Sequence, residues 1–170
     1  RALARRLRRL QKRLGVLEVR LAGQGSPDQE TAWRAALASE GLAESTQWLG
    51  WVPTSGLAAA AAGAWAALVP LSDDLVNRAR FPVKALELMA LGLPLAADPV
   101  GELPYLLDGG ACGLLVPGQE EAWVAAVAGF LGRMEQRQAL GQRARARVRQ
   151  CFCWADGAEA LEALYGGLLP

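Results

Sequence analysis

Residues 77–101, NRARFPVKALELMALGLPLAADPVG, decide the fold. They predict a loop followed by a helix over 83–91, with Pro82 in the first turn, where a helix tolerates proline. Gly92 ends that helix, and a short apolar strand is predicted over 95–97. A helix that connects two strands in this way is typical of parallel sheets.

Predicted strands and helices alternate along the whole chain. Apolar runs predict strands over residues 16–22, 46–52, 64–70, 95–97 and 113–116. Helices are predicted over residues 2–14, 28–39, 55–63 and 83–91, within 99–110, and over 120–131, 133–152 and 157–168. We therefore predict an α/β fold: a Rossmann-like parallel sheet with helices on both faces, forming a single domain over residues 1–170.

In such sheets, ligands bind outside the carboxyl ends of the strands. Four loops follow predicted strands, and they are the candidate ligand-binding segments: residues 23–28, 50–55, 70–82 and 97–102. The third of these includes residues 72–80, which are predicted to be a polar loop without secondary structure.

Composition excludes several functional classes. The 18 basic and 17 acidic residues nearly balance, so nucleic acid is not an expected partner. The chain has no histidine, which excludes Ser-His-Asp and Cys-His catalysis within it. Three cysteines, Cys112, Cys151 and Cys153, are an odd number, as expected in a reducing compartment, and they are too few to predict a metal site. No apolar run is long enough to cross a bilayer, and a cytoplasmic location is expected.

The N-terminal helix carries an unusual concentration of positive charge. Residues 1–14 contain seven basic residues and no acidic one: Arg1, Arg5, Arg6, Arg8, Arg9, Lys12 and Arg13. One interpretation is peripheral contact with anionic lipid at the inner face of the membrane. The other is a helix packed on the sheet with its basic face in water.

The chemistry-bearing residues concentrate around the helix at 83–91. Its N-terminus offers unpaired N–H groups and the positive end of the helix dipole, which suits a diphosphate. Arg80 and Lys84 add two positive charges, although both are of a type that is usually solvated on a surface. Glu87, one turn after Lys84, offers a carboxylate to two vicinal hydroxyls such as those of a ribose, unless it is only a solvated helix residue.

Two glycine-containing loops are weaker candidates. Gly23 and Gly25 follow the first strand, either facing a bound ligand or simply turning the chain, because the third glycine of a dinucleotide fingerprint is missing. Gly101 and Glu102 follow the fourth strand, where they either place N–H groups near the ligand or form a turn and a helix cap.

Several motifs together resemble a known family. The pattern P-x-K-x-L-E-x-M-A-x-G-x-P runs from Pro82 to Pro94 and is similar to the C-terminal donor-binding domain of the family-four, or group 1, retaining glycosyltransferases. Matching motifs occur in the family's order at Gly23 and Gly25, Leu49 to Val52, Val100 to Leu106, Gly113 to Pro117, and Ala144 to Trp154. The resemblance extends from about Leu10 to Tyr165.

The resemblance implies the C-terminal half of a GT-B enzyme that binds a UDP- or GDP-sugar and transfers the sugar, with retention, to an acceptor glycan or lipid-linked glycan. Glu87 matches the family's ribose-binding glutamate. No metal or other cofactor is expected, and catalytic residues are expected in the other domain. Because the chain starts at Arg1 rather than at Met, we expect a fragment of a longer two-domain protein that is inactive alone.

One position departs from the family pattern. The family has another glutamate eight residues before Glu87, and here that position is Ala79. Two alternatives therefore stand beside the transferase: a non-catalytic nucleotide-binding or interaction module with the same fold, and another GT-B activity such as a nucleotide-sugar epimerase.

Overall fold

A computed structural model describes residues 2–116 and 118–167 of the chain. Arg1, Pro117 and residue 168, the end of the last predicted helix, lie outside this part. Five strands are formed by β1 (Val19–Ala22), β2 (Thr46–Gly50), β3 (Ala67–Val69), β4 (Leu95–Ala97) and β5 (Leu114–Leu115). The α-helices are α1 (Ala2–Leu14), α2 (Pro27–Ser39), α3 (Thr54–Ala61), α4 (Leu75–Ala79), α5 (Val83–Ala90), α6 (Leu103–Leu106), α7 (Glu120–Leu131), α8 (Met134–Cys151) and α9 (Trp154–Gly166).

The strands pair in parallel, which confirms the predicted fold class. They form two sheets rather than one among the described residues: β1 pairs with β2, and β3, β4 and β5 pair in that order. Leu21 lies opposite Trp48 in the first sheet, and Leu68 lies opposite Ala96 in the second.

Helices cover both faces of the three-stranded sheet, as predicted. Ala96 points to one face, where it packs with Leu10 of α1 and residues of α7. Its neighbours Leu95 and Ala97 point to the other face and pack with α5, α6 and α8. This alternation along β4 is what a strand between two helical layers requires.

The prediction of a loop over residues 72–80 is wrong in part, because α4 forms within it. Asp74 caps the helix: its side chain accepts a hydrogen bond from the N–H of Asn77 at 2.8 Å. The side-chain amide of Asn77 also donates to the carboxylate of Asp74 and to the carbonyl of Ser72. The polar segment 72–80 thus contains a helical turn, because the side chain of Asp74 accepts a hydrogen bond from a backbone N–H at the start of α4.

Several boundaries also differ from the predictions. The strands are shorter, since β1 begins at Val19 and β3 covers only Ala67–Val69. Pro82 caps α5 instead of standing in its first turn. The last helix begins at Trp154, three residues before the predicted start.

The basic face of α1 contacts α7. Arg5 and Arg9 each donate to Glu120 at 2.9 Å, and Arg9 also pairs with Glu121. These contacts favour the interpretation of α1 as a helix packed on the sheet. None of the described helices combines the length and the apolar character needed to cross a bilayer.

A close contact between two glycines fixes α8 against the turn between α5 and β4. A Cβ added to Gly141 of α8 would lie 2.2 Å from the carbonyl oxygen of Gly92. Gly92 itself has φ +75°, a conformation that favours glycine. The contact therefore links α8 to the end of the helix that carries Glu87.

Candidate functional site

The candidate residues gather where the strands end. Because the strands of each sheet are parallel, the loops after β1 and β2 leave one edge of the first sheet, and the loops after β3 and β4 leave one edge of the second. Gly23, Gly25, Arg80 and Lys84 are among the many residues that line one large cleft.

Glu87 is held by a residue of the neighbouring segment. Its carboxylate accepts a hydrogen bond from the hydroxyl of Thr54, at 3.0 Å, where Thr54 begins α3. Lys84 lies 4.0 Å from the other carboxylate oxygen, and the side chain of Glu87 is 23% exposed. A carboxylate on a partly exposed side chain can accept hydrogen bonds from a ligand's hydroxyl groups.

An aromatic platform lies beside this carboxylate. Gly50 ends β2 with φ +64° and turns the chain, so that the side chain of Trp51 is directed to the surface, where the residue is 66% exposed. The ammonium group of Lys84 sits 5.2 Å from the centre of the Trp51 ring. This distance is typical of a cation–π contact, and it links Trp51 with the residues around Glu87.

The N-terminus of α5 offers fewer amides than expected for an anion site. The N–H of Val83 donates to Phe81, and the N–H of Ala85 donates to Pro82. The backbone N–H of Lys84 makes no such bond within the described residues. Arg80 is exposed at the end of α4, two residues before the cap of α5.

The glycines after β1 have structural tasks of their own. The N–H of Gly23 donates to the carbonyl of Gly50 at 2.8 Å, and that of Gly25 donates to Glu30 at 3.2 Å. Both amides are therefore used within the chain. Ser26 follows as the N-cap of α2 and forms a capping box with Gln29.

Gly101 and Glu102 lie against α4. A Cβ on Gly101 would meet the carbonyl oxygen of Asn77 at 2.5 Å, and Gly101 has φ +56°, so two independent requirements select glycine. Glu102 occupies the N-cap position of α6, and its side chain makes no capping hydrogen bond. Gly101 thus lies in a turn and Glu102 at a helix start, and a contact of either with a ligand stays a prediction.

Asp98 is a buried polar residue that the sequence analysis did not single out. It follows β4 and is 7% exposed. Its carboxylate accepts a hydrogen bond from the N–H of Leu71 at 3.0 Å and lies 3.8 Å from Arg6. Burial raises the pKa of Asp98, and the Leu71 amide and Arg6 oppose that rise. Asp98 thus ties the start of the loop after β3 to the end of β4.

Thr54 and Trp51 were also not predicted as site residues. The tryptophans differ widely in burial: Trp123 is 2% exposed, whereas Trp154 is 93% exposed. Their position was the only sequence feature that could have identified them as site residues, since both Thr54 and Trp51 lie in the candidate segment 50–55 after β2. Among residues 2–116 and 118–167, no group of three or more His, Cys, Asp or Glu residues is placed to hold a metal ion.

The chain is similar in sequence to known proteins. The family model for glycosyl transferases group 1 matches residues 1–142. A D-inositol 3-phosphate glycosyltransferase of Corynebacterium jeikeium (strain K411) is 38% identical over 91 residues, which are 53% of this chain and 22% of the relative. The protein of that name from Nocardia farcinica (strain IFM 10152) is 39% identical over 90 residues, which are 52% of this chain and 20% of the relative. The chain therefore spans about a fifth of the length of these curated relatives.

Solved structures show the same fold. Sucrose-phosphate synthase from Thermosynechococcus elongatus superposes with a TM-score of 0.83 at 24% identity, over 97% of this chain and 42% of that one. Anabaena HepE in complex with UDP-glucose superposes with a TM-score of 0.75 at 20% identity, over 97% of this chain and 44% of that one. At these identities the likeness establishes the fold, which is that of GT-B glycosyltransferases.

Proposed function

The chain belongs to the glycosyl transferases group 1, and from that premise we propose that it is the donor-binding half of a retaining glycosyltransferase whose donor is a UDP- or GDP-sugar. The observation that carries the proposal is the half-buried carboxylate of Glu87, held by Thr54 at the carboxyl end of the sheet. The complexes of Anabaena HepE with UDP and with UDP-glucose support a nucleotide sugar as the donor.

Glu87 is proposed to bind the ribose of the donor. A carboxylate accepts hydrogen bonds from two vicinal hydroxyls, and such charge-assisted bonds contribute about 1.5–3 kcal/mol each. The hydroxyl of Thr54 occupies one carboxylate oxygen and fixes the orientation of the side chain. The ribose then takes the remaining acceptor sites.

Trp51 is proposed to stack against the nucleobase. Its ring and the Glu87 carboxylate both lie next to the ammonium of Lys84, so they are within about 9 Å of each other, a separation that a nucleoside spans. Stacking of a base on an aromatic side chain contributes about 1–3 kcal/mol. It tolerates different bases, which leaves the choice between UDP and GDP to other contacts.

The diphosphate is proposed to lie between Arg80 and the start of α5. The side chains of Arg80 and Lys84 supply positive charge, and the backbone N–H of Lys84 supplies a donor at the positive end of the helix dipole. These groups stabilise the negative charge that develops as the diphosphate leaves, so the proposal requires no metal.

In the proposed reaction, an acceptor hydroxyl on a glycan or lipid-linked glycan attacks the anomeric carbon as the bond to the diphosphate breaks, and the hydroxyl proton passes to the leaving diphosphate. The anomeric configuration is retained. The reaction also requires a second domain that closes over the donor and excludes water. The residues that contact the acceptor are assigned to that domain.

Ala79 favours a second candidate function, a module that binds nucleotide without transferring sugar. It is also compatible with a third, a nucleotide-sugar epimerase. Ala79 ends α4 and has only a methyl group where the family pattern has a glutamate. A methyl group forms no hydrogen bond with a donor sugar. Incubating the longer, two-domain protein with a labelled nucleotide sugar and acceptor distinguishes the three functions. A transferase labels the acceptor, a binding module leaves the nucleotide sugar unchanged, and an epimerase isomerises the nucleotide sugar.

Calorimetry with UDP, GDP and ADP tests nucleotide binding by this chain. We expect UDP or GDP to bind and ADP not to bind, and Glu87→Ala to weaken the binding by roughly ten- to a hundredfold, because at least one charge-assisted hydrogen bond is lost. Glu135→Ala, which removes an exposed carboxylate at the start of α8, is the matched control and leaves binding unchanged. A folded chain that binds none of the three contradicts the proposal.

A further inference from the structure

The segment between β3 and α5 (residues 70–82) carries Arg80, one of the residues proposed to hold the diphosphate. Arg80 is exposed, and among residues 2–116 and 118–167 its guanidinium forms no ion pair. Its neighbour Arg78 differs, because its guanidinium donates to both carboxylate oxygens of Asp73. The position of Arg80 therefore depends on where the backbone at the end of α4 lies.

A short segment after β4 contacts the backbone of residues 70–82 at two places. The carboxylate of Asp98 accepts a hydrogen bond from the N–H of Leu71, at 3.0 Å, where the segment begins. Further along, a Cβ at Gly101 would lie 2.5 Å from the carbonyl oxygen of Asn77 and 3.2 Å from that of Arg78, both in α4. Residues 98–101 thus support both the start of the segment and its helix.

Asp98 is itself held by the layer that covers the sheet. Its other carboxylate oxygen lies 3.8 Å from the guanidinium of Arg6. Arg6 in turn donates to the carbonyl of Gly118, and its guanidinium lies 5.4 Å from the centre of the ring of Trp123, a buried core residue. The hydrogen bond to Leu71 therefore connects the segment that carries Arg80 to the packed core of the second sheet.

The carboxylate of Asp98 is a poor choice for stability alone. Burial of a carboxylate costs free energy unless hydrogen bonds and opposite charge compensate for it. Here Leu71 supplies one hydrogen bond, and Arg6 at 3.8 Å is beyond hydrogen-bonding distance. The pKa of Asp98 is accordingly raised by burial. The clearest consequence of this side chain is the fixed position of the Leu71 amide.

We propose that Asp98 is a positioning residue for the diphosphate site. It fixes the start of the segment 70–82, Gly101 supports α4, and together they set the position of Arg80 relative to the N-terminus of α5. This role rests on the proposed function, because Arg80 needs a defined position only if a diphosphate binds there.

The test compares a nucleoside diphosphate with its nucleoside, so that the contribution of the phosphates is measured separately. The affinities of UDP and uridine, or of GDP and guanosine, are measured on the wild type, Arg80→Ala, Asp98→Ala and the double variant. We expect Arg80→Ala to weaken diphosphate binding by roughly ten- to a hundredfold, because a charge-assisted contact is lost. Nucleoside binding should change by less than about twofold in each variant.

Asp98→Ala should weaken diphosphate binding by roughly three- to tenfold. This loss is smaller than that of Arg80→Ala, because Phe81 still packs on Phe152 at the far end of the segment, with the ring centres 6.4 Å apart. Asp98→Asn keeps an oxygen that can accept from the N–H of Leu71, so it should recover most of the loss.

The double variant shows whether Asp98 acts through Arg80. Once Arg80 is replaced by alanine, Asp98→Ala should weaken diphosphate binding no further, within about twofold. Val127→Ala, which leaves a cavity in the core beneath α7, is the control for lost stability alone. It should leave the ratio of the diphosphate and nucleoside affinities unchanged.

Hydrogen exchange without ligand is the second measurement. The N–H of Arg80 donates to the carbonyl of Val76 within α4. We expect Asp98→Ala to speed exchange at this amide by at least about fivefold, relative to the amide of Ala96 in the middle of β4.

Three results overturn the role of Asp98 alone: equal losses of nucleoside and diphosphate affinity in Asp98→Ala, the full Asp98→Ala loss in the double variant, or an unchanged exchange rate at Arg80. A wild type that binds neither UDP nor GDP instead overturns the proposed function, and the role of Asp98 with it.

Discussion

Gly141→Ala should destabilise the protein, although alanine is the better helix former. Gly141 lies in the interior of α8, where the exchange usually stabilises by about 0.5–1 kcal/mol. Here the new Cβ would lie 2.2 Å from the carbonyl oxygen of Gly92, far below ordinary contact, and 3.4 Å from a ring carbon of Pro94. Because the nearest obstacle is backbone, no side-chain rotation relieves the contact, and α8 must move.

Overpacking of this kind costs about 1–3 kcal/mol, so we expect a net loss of about 1–2 kcal/mol and a Tm lower by about 2–8 °C. Gly129→Ala in α7 is the matched control, because its Cβ would meet nothing within 4 Å. It should raise the free energy of unfolding by up to about 1 kcal/mol. Urea unfolding of both variants measures whether each substitution raises or lowers the free energy of unfolding. Equal stabilisation by both would refute the claim that the contact between Gly141 and Gly92 holds α8 in place.

Two further predictions concern protonation. Because burial raises the pKa of Asp98 above its unfolded value, the contribution of Asp98 to stability declines as pH rises through the acidic range. The free energy of unfolding of Asp98→Asn should therefore increase relative to that of the wild type between about pH 3 and pH 6. A difference between the two proteins that stays constant over this range would contradict the burial of Asp98. Burial also raises the pKa of the Cys112 thiol, whereas Cys151 and Cys153 are exposed. A thiol reagent should therefore modify Cys151 and Cys153 quickly and Cys112 only after unfolding. Equal modification rates at the three cysteines would contradict the buried position of Cys112.

Local patterns predicted the helices well. The helix predicted over residues 2–14 coincides with α1, because the helical spacing of its leucines depends on neighbouring residues alone. The helix α4 was not predicted, because an aspartate in a polar segment, such as Asp74, is equally typical of a turn and of a helix N-cap. The division into two sheets was missed because strand pairing depends on distant residues, which periodicity does not record.

The candidate site was predictable only in part. Glu87 and Lys84 share a helix, so their proximity followed from their spacing. Thr54 meets Glu87 across 33 positions of sequence, and only the packing of α3 against α5 brings them together. The turn at Phe81 and Pro82 engages the amides of Val83 and Ala85, which the sequence pattern did not show, and the anion site at the start of α5 stays a prediction.

The central claim is that the carboxylate of Glu87 binds the ribose hydroxyls of a nucleotide, and a double-mutant cycle tests it most directly. The affinity of UDP and of 2′-deoxy-UDP is measured by calorimetry on the wild type and on Glu87→Ala, with GDP and its deoxy form as the second pair. We predict that removing the 2′-hydroxyl weakens binding to the wild type by roughly tenfold or more and leaves binding to the variant unchanged, because the lost hydroxyl then has no partner. An equal loss on both proteins would contradict the claim.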